Sequence, residues 1–192
     1  MFKAVLALII LVSTMSLQSC MSVATSGAQA VYNRHHIEDN LKDQYMTMQA
    51  YKALYRDTRQ FKNTNIIVST YHREVLLAGQ APARWQKTRA EEIIKKIPDI
   101  ENLYNLVDVQ SPSSSLTRVS DTWITAKIKA KFLASNDMDG SLVKVITENG
   151  TVFLMGVVLP EHAAEAVDLA RNTDGVQRVV KIFSYMKISK KV

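Results

Sequence analysis

The sequence holds a single cysteine, Cys20, so no disulfide can form within the chain. The apolar stretch Ala4 to Val12 is well short of the roughly 20 residues a bilayer-spanning helix needs. Aromatic residues make up 7% of the chain, no aromatic groove for a polymer stands out, and there is no long low-complexity tract. Catalytic constellations are missing as well. His35-His36, His72 and His162 have no ligand spacing such as two histidines four apart around a glutamate. Asp137, Asp139 and Gly140 lack the 12-residue pattern and closing glutamate of a calcium loop. Glu91-Glu92 reads as a solvated helix face, and neither a Gly-rich phosphate loop nor a nucleophile elbow occurs. These absences argue against an enzyme, a metal centre and a cofactor.

What is present begins at the N-terminus. Met1-Phe2-Lys3 is a short positive segment, Ala4 to Val12 an apolar one, and Leu17-Gln18-Ser19 places small residues before Cys20. That order is the one a secretory signal presents to its peptidase. Leu17-Gln18-Ser19-Cys20 resembles the lipobox of bacterial lipoproteins, which implies removal of residues 1–19 and acylation of Cys20 with fatty acids such as palmitate. Each buried methylene adds about 0.8 kcal/mol of membrane affinity, so several chains on one cysteine anchor a protein durably. Met21 rather than Asp after the cysteine implies the outer membrane, by the sorting rule of enteric bacteria. The net charge of +6 stays positive after Lys3 is lost with the signal. A basic exported chain suits lipid headgroups, acidic polymers or an acidic protein face, and an exported address argues against nucleic acid.

Comparing the chain with itself exposes a repeat. Val75-Leu76-Leu77-Ala78-Gly79 echoes Val152-Phe153-Leu154-Met155-Gly156, and the same offset pairs Val68 with Val145 and Thr70 with Thr147. A one-residue shift matches Ile100, Leu103 and Leu106 to Val176, Val179 and Ile182. In the second copy, Ser120 or Asp121 is the expected N-cap of a helix that includes Trp123 to Ala134. An alternating strand over residues 142–147 follows, and Glu148-Asn149-Gly150-Thr151 is a type I′ hairpin signal. Val152 to Leu159 returns as a strand, and Pro160 opens a helix to about Asn172. Asp174-Gly175 stops it, and a third strand spans Val176 to Ile188.

The first copy predicts a helix over about Asp39 to Arg59, with Leu41, Tyr45, Met48 and Tyr55 as its core stripe. Asp39 there takes the place of Asp121. His72-Arg73 at the hairpin tip predicts a looser or longer turn, Pro98 breaks the second helix, and Tyr104 to Gln110 closes the unit. Gly79 and Gly156, late in the second strand of each copy, predict close backbone approach or a bulge. The expected division is 1–19 signal, 20–37 lipidated tether without clear period, 38–110 first domain, 111–119 Ser/Pro-rich linker, and 120–192 second domain. Each unit is α-β-β-α-β, about 70 residues and close to the lower size limit for a stable core. The fold class is α+β, two tandem domains, each with helices on one face of a small three-stranded sheet.

The paired Val75-x-Leu77-x-Gly79 and Val152-x-Leu154-x-Gly156 strands, with Gly175-Val176-x-x-Val179, resemble the BON domain, found in tandem in several exported bacterial proteins. Asp121 to Lys127 and Thr147 to Gly156 are closer still to one lipoprotein of that family; the first copy departs, with Pro98-Asp99 before Ile100 where a glycine is usual. The resemblance implies an outer-membrane lipoprotein facing the periplasm, which recognises anionic phospholipid through the first helix of its second domain. It also implies a part in envelope integrity and enrichment at division sites.

The residues single out the same helix on their own. At roughly 100° per residue, Ile124, Ile128 and Phe132 form the core stripe, and Trp123, Ala126, Ala130 and Leu133 a second stripe opposite. Lys127 and Lys129 flank that second stripe, and Lys131 snorkels from the core edge. Two apolar faces require two surfaces to cover them. Lipid is one candidate, with Trp123 in the headgroup region; the first domain, packed on Trp123 and Leu133, is the other. A protein-interaction adaptor for outer-membrane assembly machinery and a polymer-binding spacer remain the competing functions.

Overall fold

The computed structural model describes residues 27–186, with side chains from residue 38 onward. Cys20 and the signal segment lie outside the described residues. The chain divides into two compact units, Met1–Glu38 and Asp39–Val192, and the packing below concerns the second. The first repeat comprises α1 (Gly27–Leu54), β1 (Asn65–Tyr71), β2 (Glu74–Ala81), α2 (Arg84–Ile94), β3 (Asn102–Asn105) and the two-residue β4 (Asp108–Val109). The second comprises α3 (Ser115–Ala134), β5 (Val143–Glu148), β6 (Thr151–Val158), α4 (Pro160–Arg171) and β7 (Arg178–Tyr185). The α-β-β-α-β order therefore occurs twice, in an α+β fold.

In each copy the hairpin strands pair antiparallel and the last strand lies parallel to the middle one. The second sheet has the expected three strands, in the order β5-β6-β7. The first has four, because its last strand breaks into β3 and β4, both beside β2. The break buries Val107, whose N–H reaches the Asn105 Oδ1 at 3.4 Å.

Helices cover one face of each sheet. In the first domain Met46, Ala50 and Leu54 of α1 meet Val75 and Leu77 of β2 and Ala90 and Ile94 of α2. In the second, Ile124, Ile128 and Phe132 of α3 meet Val152 and Leu154 of β6 and Ala163, Ala166 and Ala170 of α4. The alternate residues of β2 and β6 form a third core: Leu76, Ala78, Phe153 and Met155, with Tyr71 and Ile182. The two sheets thus pack back to back, and the two helical layers lie on opposite outsides. A strand buried on both faces reads as a continuous apolar run, which is what Val75-Leu76-Leu77-Ala78 and Val152-Phe153-Leu154-Met155 are.

Polar contacts close the rim of this interface. The buried Glu148 Oε1 accepts from Asn65 Nδ2 at 3.1 Å, Gln80 Nε2 at 2.9 Å and Ser113 Oγ at 3.1 Å. Lys144 Nζ donates to the Thr70 carbonyl at 2.8 Å and Tyr71 Oη to the Leu142 carbonyl at 3.0 Å. Burial pushes the Lys144 ammonium below its ordinary pKa, an effect Asp43 opposes and Lys129 reinforces.

Several local expectations are corrected. The first-copy hairpin is as tight as the second: Tyr71 pairs with Glu74 across His72-Arg73, as Glu148 pairs with Thr151 across Asn149-Gly150. All four turn residues have positive φ, at 46° and 66° in the first copy and 48° and 70° in the second. A buried carboxylate holds each turn. Asp43 accepts from the His72 and Arg73 N–H groups at 2.7 and 3.2 Å, and Asp121 from those of Asn149 and Gly150 at 2.8 and 2.9 Å. Asp43, not Asp39, is therefore the counterpart of Asp121, and Asp121 is a turn clamp inside α3 rather than its N-cap. Helix α3 starts earlier, at Ser115, with Ser114 as N-cap accepting from Thr117 N–H at 3.1 Å. Helix α1 likewise begins at Gly27, within the stretch expected to be an aperiodic tether, and ends at Leu54 rather than Arg59. The proposed core stripe of α1 is also wrong: Leu41, Tyr45 and Met48 are about 60% exposed and Tyr55 is 37% exposed.

Asp99, at φ 66°, makes the turn that Gly175 makes at φ 95° in the second copy. Gly79, at φ 104°, has no room for a side chain: a Cβ there would overlap the Asn65 carbonyl. At Gly156 a Cβ would lie 2.6 Å from the Leu142 carbonyl oxygen.

Candidate functional site

Helix α3 has one acidic residue, Asp121, and it is turned inward. On the same side Thr125 Oγ1 donates to Thr147 Oγ1 at 2.7 Å, fixing the helix to β5. The opposite side lies open to solvent. Trp123 is 66% exposed and Leu133 84%, so neither packs on the first domain, and Ala126 and Ala130 between them are exposed too. The earlier helix start extends this stripe by Leu116 and Val119, at 79% and 54% exposure. Sequence reading missed both residues, although the Ser114-x-x-Thr117 capping pattern was there to find.

Basic residues border the stripe on both sides. Arg118 and Lys129 lie along one edge, Lys127 and Lys131 along the other. Lys127 Nζ donates to the Asp174 carbonyl at 2.6 Å and Lys131 Nζ to the Asn172 carbonyl at 2.6 Å. Lys131 thereby serves the carbonyl end of α4, where unpaired C=O groups favour cations, and Lys127 the turn that follows it. Arg118 bonds the Ser113 carbonyl at 2.7 Å and Ser115 Oγ at 3.0 Å. Lys129 is exposed and has no hydrogen-bond partner among the described residues. The arrangement is an apolar ridge about 100° wide, edged by four cations, with no exposed carboxylate on the helix.

The counterpart face of α1 carries Leu41, Tyr45, Met48 and Tyr55, with Tyr45 at the position of Trp123 and Lys52 at that of Ala130. Among the described residues no group of three or more metal-binding side chains occurs, and no helix is long and apolar enough to cross a membrane.

Comparison with known proteins agrees with the repeat. The BON domain family matches twice, at residues 42–111 and 120–186. Outer membrane lipoprotein DolP of Haemophilus influenzae is 30% identical over 93% of this chain and 94% of its own. The 21 kDa hemolysin of Actinobacillus pleuropneumoniae is 35% identical over 70% of this chain and 69% of its own. Osmotically-inducible protein Y of Escherichia coli is 28% identical over 80% and 78%. The chain belongs to the BON domain family, as a two-domain outer-membrane lipoprotein similar to DolP along nearly its whole length.

Proposed function

We propose that this protein is a non-enzymatic, periplasm-facing lipoprotein, held in the outer membrane by acyl chains on Cys20, that binds anionic phospholipid through the outer face of α3. Its role would be support of envelope integrity, with enrichment at division sites. The observation that carries the reading is the exposed ridge of Leu116, Val119, Trp123 and Leu133 between basic edges. Each cation near an anionic surface contributes about 1 kcal/mol, screened by salt. Burying Trp123 and Leu133 adds a few kcal/mol at about 25 cal/mol per Å². That affinity is weak alone and selective once an anchor raises the effective concentration. The acyl chains supply residence and α3 supplies discrimination.

The test is co-sedimentation of residues 20–192 carrying Cys20→Ser with phosphatidylglycerol-containing and purely zwitterionic vesicles. Binding to the former alone, weakening as salt rises, is the expected result. Equal binding to both, or none at low salt, would contradict it. A second reading, an adaptor for outer-membrane assembly proteins, rests on the exposed stripe of α1. It is favoured if a partner co-purifies with the Trp123→Glu chain and is lost with Tyr45→Glu.

A further inference from the structure

The first domain gathers positive charge where the C-terminal ends of α1 and α2 approach each other. Lys52, Arg56 and Arg59 from α1 and the turn after it, with Arg89 and Lys96 from α2 and its end, line one groove of two adjoining lobes, about 630 and 850 Å³. Asp57 is the only carboxylate in the lining, and Arg59 and Gln60 already occupy it, at 3.2 Å each. Those hydrogen bonds hold the Asp57 carboxyl below its ordinary pKa, Gln60 contributing most. Arg89 is tied to Gln60 and Glu92, at 3.1 and 3.0 Å. The side chains of Lys52, Arg56 and Lys96 have no hydrogen-bond or ion-pair partner among the described residues, and all three residues are exposed. Ala53, Ile93, Ile97 and Pro98 give the groove an apolar floor.

Arg59 and Arg89 are paired with Asp57 and Glu92, but Lys52, Arg56 and Lys96 share the groove with no carboxylate to offset their mutual repulsion. Cations at helix C-termini complement the backbone dipole, which accounts for one at each end but not for three unpaired ones, beside two paired ones, around one groove. Guanidinium forks match oxyanions in bidentate geometry. Each lobe is open to solvent and has room for a compact phosphate ester. The apolar floor suits the organic part of an ester. We propose that this groove binds a phosphate-bearing ligand, either a free phosphate compound or a lipid headgroup. The groove lies in the first domain's helical layer, on the opposite outside of the paired sheets from α3, so its ligand is not the bilayer patch under α3. The inference stands independently of the reading of α3.

The test uses residues 20–192 with Cys20→Ser, titrated with sodium pyrophosphate at constant ionic strength while backbone amide shifts are followed. A second arm measures vesicle binding, at 30% phosphatidylglycerol in phosphatidylcholine, in the Trp123→Glu background. Each arm is repeated with Arg56→Gln and Lys96→Gln combined, which breaks no internal bond. Saturable shifts centred on Arg56, Arg89 and Lys96, weakened at least tenfold by the double variant, support the site with a free phosphate compound as source. Residual vesicle binding that the double variant abolishes supports it with a headgroup as source. The melting temperature of the double variant should hold or rise. Absence of both signals overturns the proposal, as does tighter binding of a glutamate-rich peptide than of either phosphate probe. A fall in melting temperature with unchanged affinity also overturns it, leaving the cations as helix-end complements.

Discussion

The two repeats solve one folding problem twice and differ on the side that folding does not need. Inside, Asp43 and Asp121 clamp equivalent hairpin turns, Thr47 and Thr125 bond Thr70 and Thr147, and Met46-Ala50-Leu54 matches Ile124-Ile128-Phe132. Outside, α3 presents Leu116, Val119, Trp123 and Leu133, with Ala126 and Ala130 between them and cations only at the edges. Helix α1 presents Leu41, Tyr45, Met48 and Tyr55, with Lys52 set into the stripe itself. A smooth apolar ridge with charged borders can settle into a fluid interface; a stripe interrupted by an ammonium cannot do so without burying or displacing that charge. Shared interior and divergent exterior are what a duplication leaves when one copy keeps a surface the other does not.

The interior half of this comparison breaks hardest at the glycines. Gly79→Ala must relieve both a left-handed φ and an overlap with the Asn65 carbonyl, and should cost about 3 kcal/mol or more. Gly156→Ala meets only the close Leu142 carbonyl and should cost about 1–3 kcal/mol. Urea unfolding of both variants checks the order; equal losses would show that backbone conformation is not what separates the two sites. Next come the clamps. Asp43→Ala leaves the His72 and Arg73 N–H groups unpaired in a turn whose residues resist positive φ, for about 2–4 kcal/mol. Asp121→Ala should cost less, because Asn149-Gly150 favours that turn unaided.

A smaller effect concerns the domain interface. Burial disfavours the charged form of Lys144, so its folded pKa lies below 10.5. Between those two values the unfolded chain binds more protons, and stability rises with pH through that window. The urea midpoint of the wild type, measured from pH 8 to 10, should therefore climb relative to Lys144→Met. Parallel curves would mean that Lys144 is solvated in solution. Smallest on this scale are Trp123→Glu and Tyr45→Glu, which should change stability by no more than about 0.5 kcal/mol, since both side chains are mostly exposed.

Much of the second domain was legible in sequence because its punctuation is local: Asn149-Gly150, Pro160 and Gly175 each fix a backbone conformation on their own. The first domain hid the same plan. Its turn is held by a distant carboxylate, so His72-Arg73 looked loose, and Asp99 does a glycine's work at φ 66°. On α1, periodicity found a stripe but chose the wrong one. Leu41, Tyr45 and Met48 are larger than Ala50, and size suggested the core, whereas Ala50 is the one that is fully buried. Pairing Asp121 with Asp43, 78 residues earlier and one beyond the offset of the strands, would have settled the choice. On α3 the ridge was legible from Trp123 onward, but its beginning was hidden because Ser114 and Ser115 read equally well as linker. Packing of the sheets was written in the unbroken apolar runs of β2 and β6, which alternation-based reading passes over.

The central claim is that the outer face of α3, and not its counterpart on α1, meets anionic lipid. The direct measurement is vesicle binding by residues 20–192 with Cys20→Ser, comparing Trp123→Glu with Tyr45→Glu on phosphatidylglycerol-containing vesicles. The account predicts that Trp123→Glu lowers binding at least tenfold and Tyr45→Glu leaves it within twofold, both variants folded. Equal losses, or a loss with Tyr45→Glu alone, would contradict it.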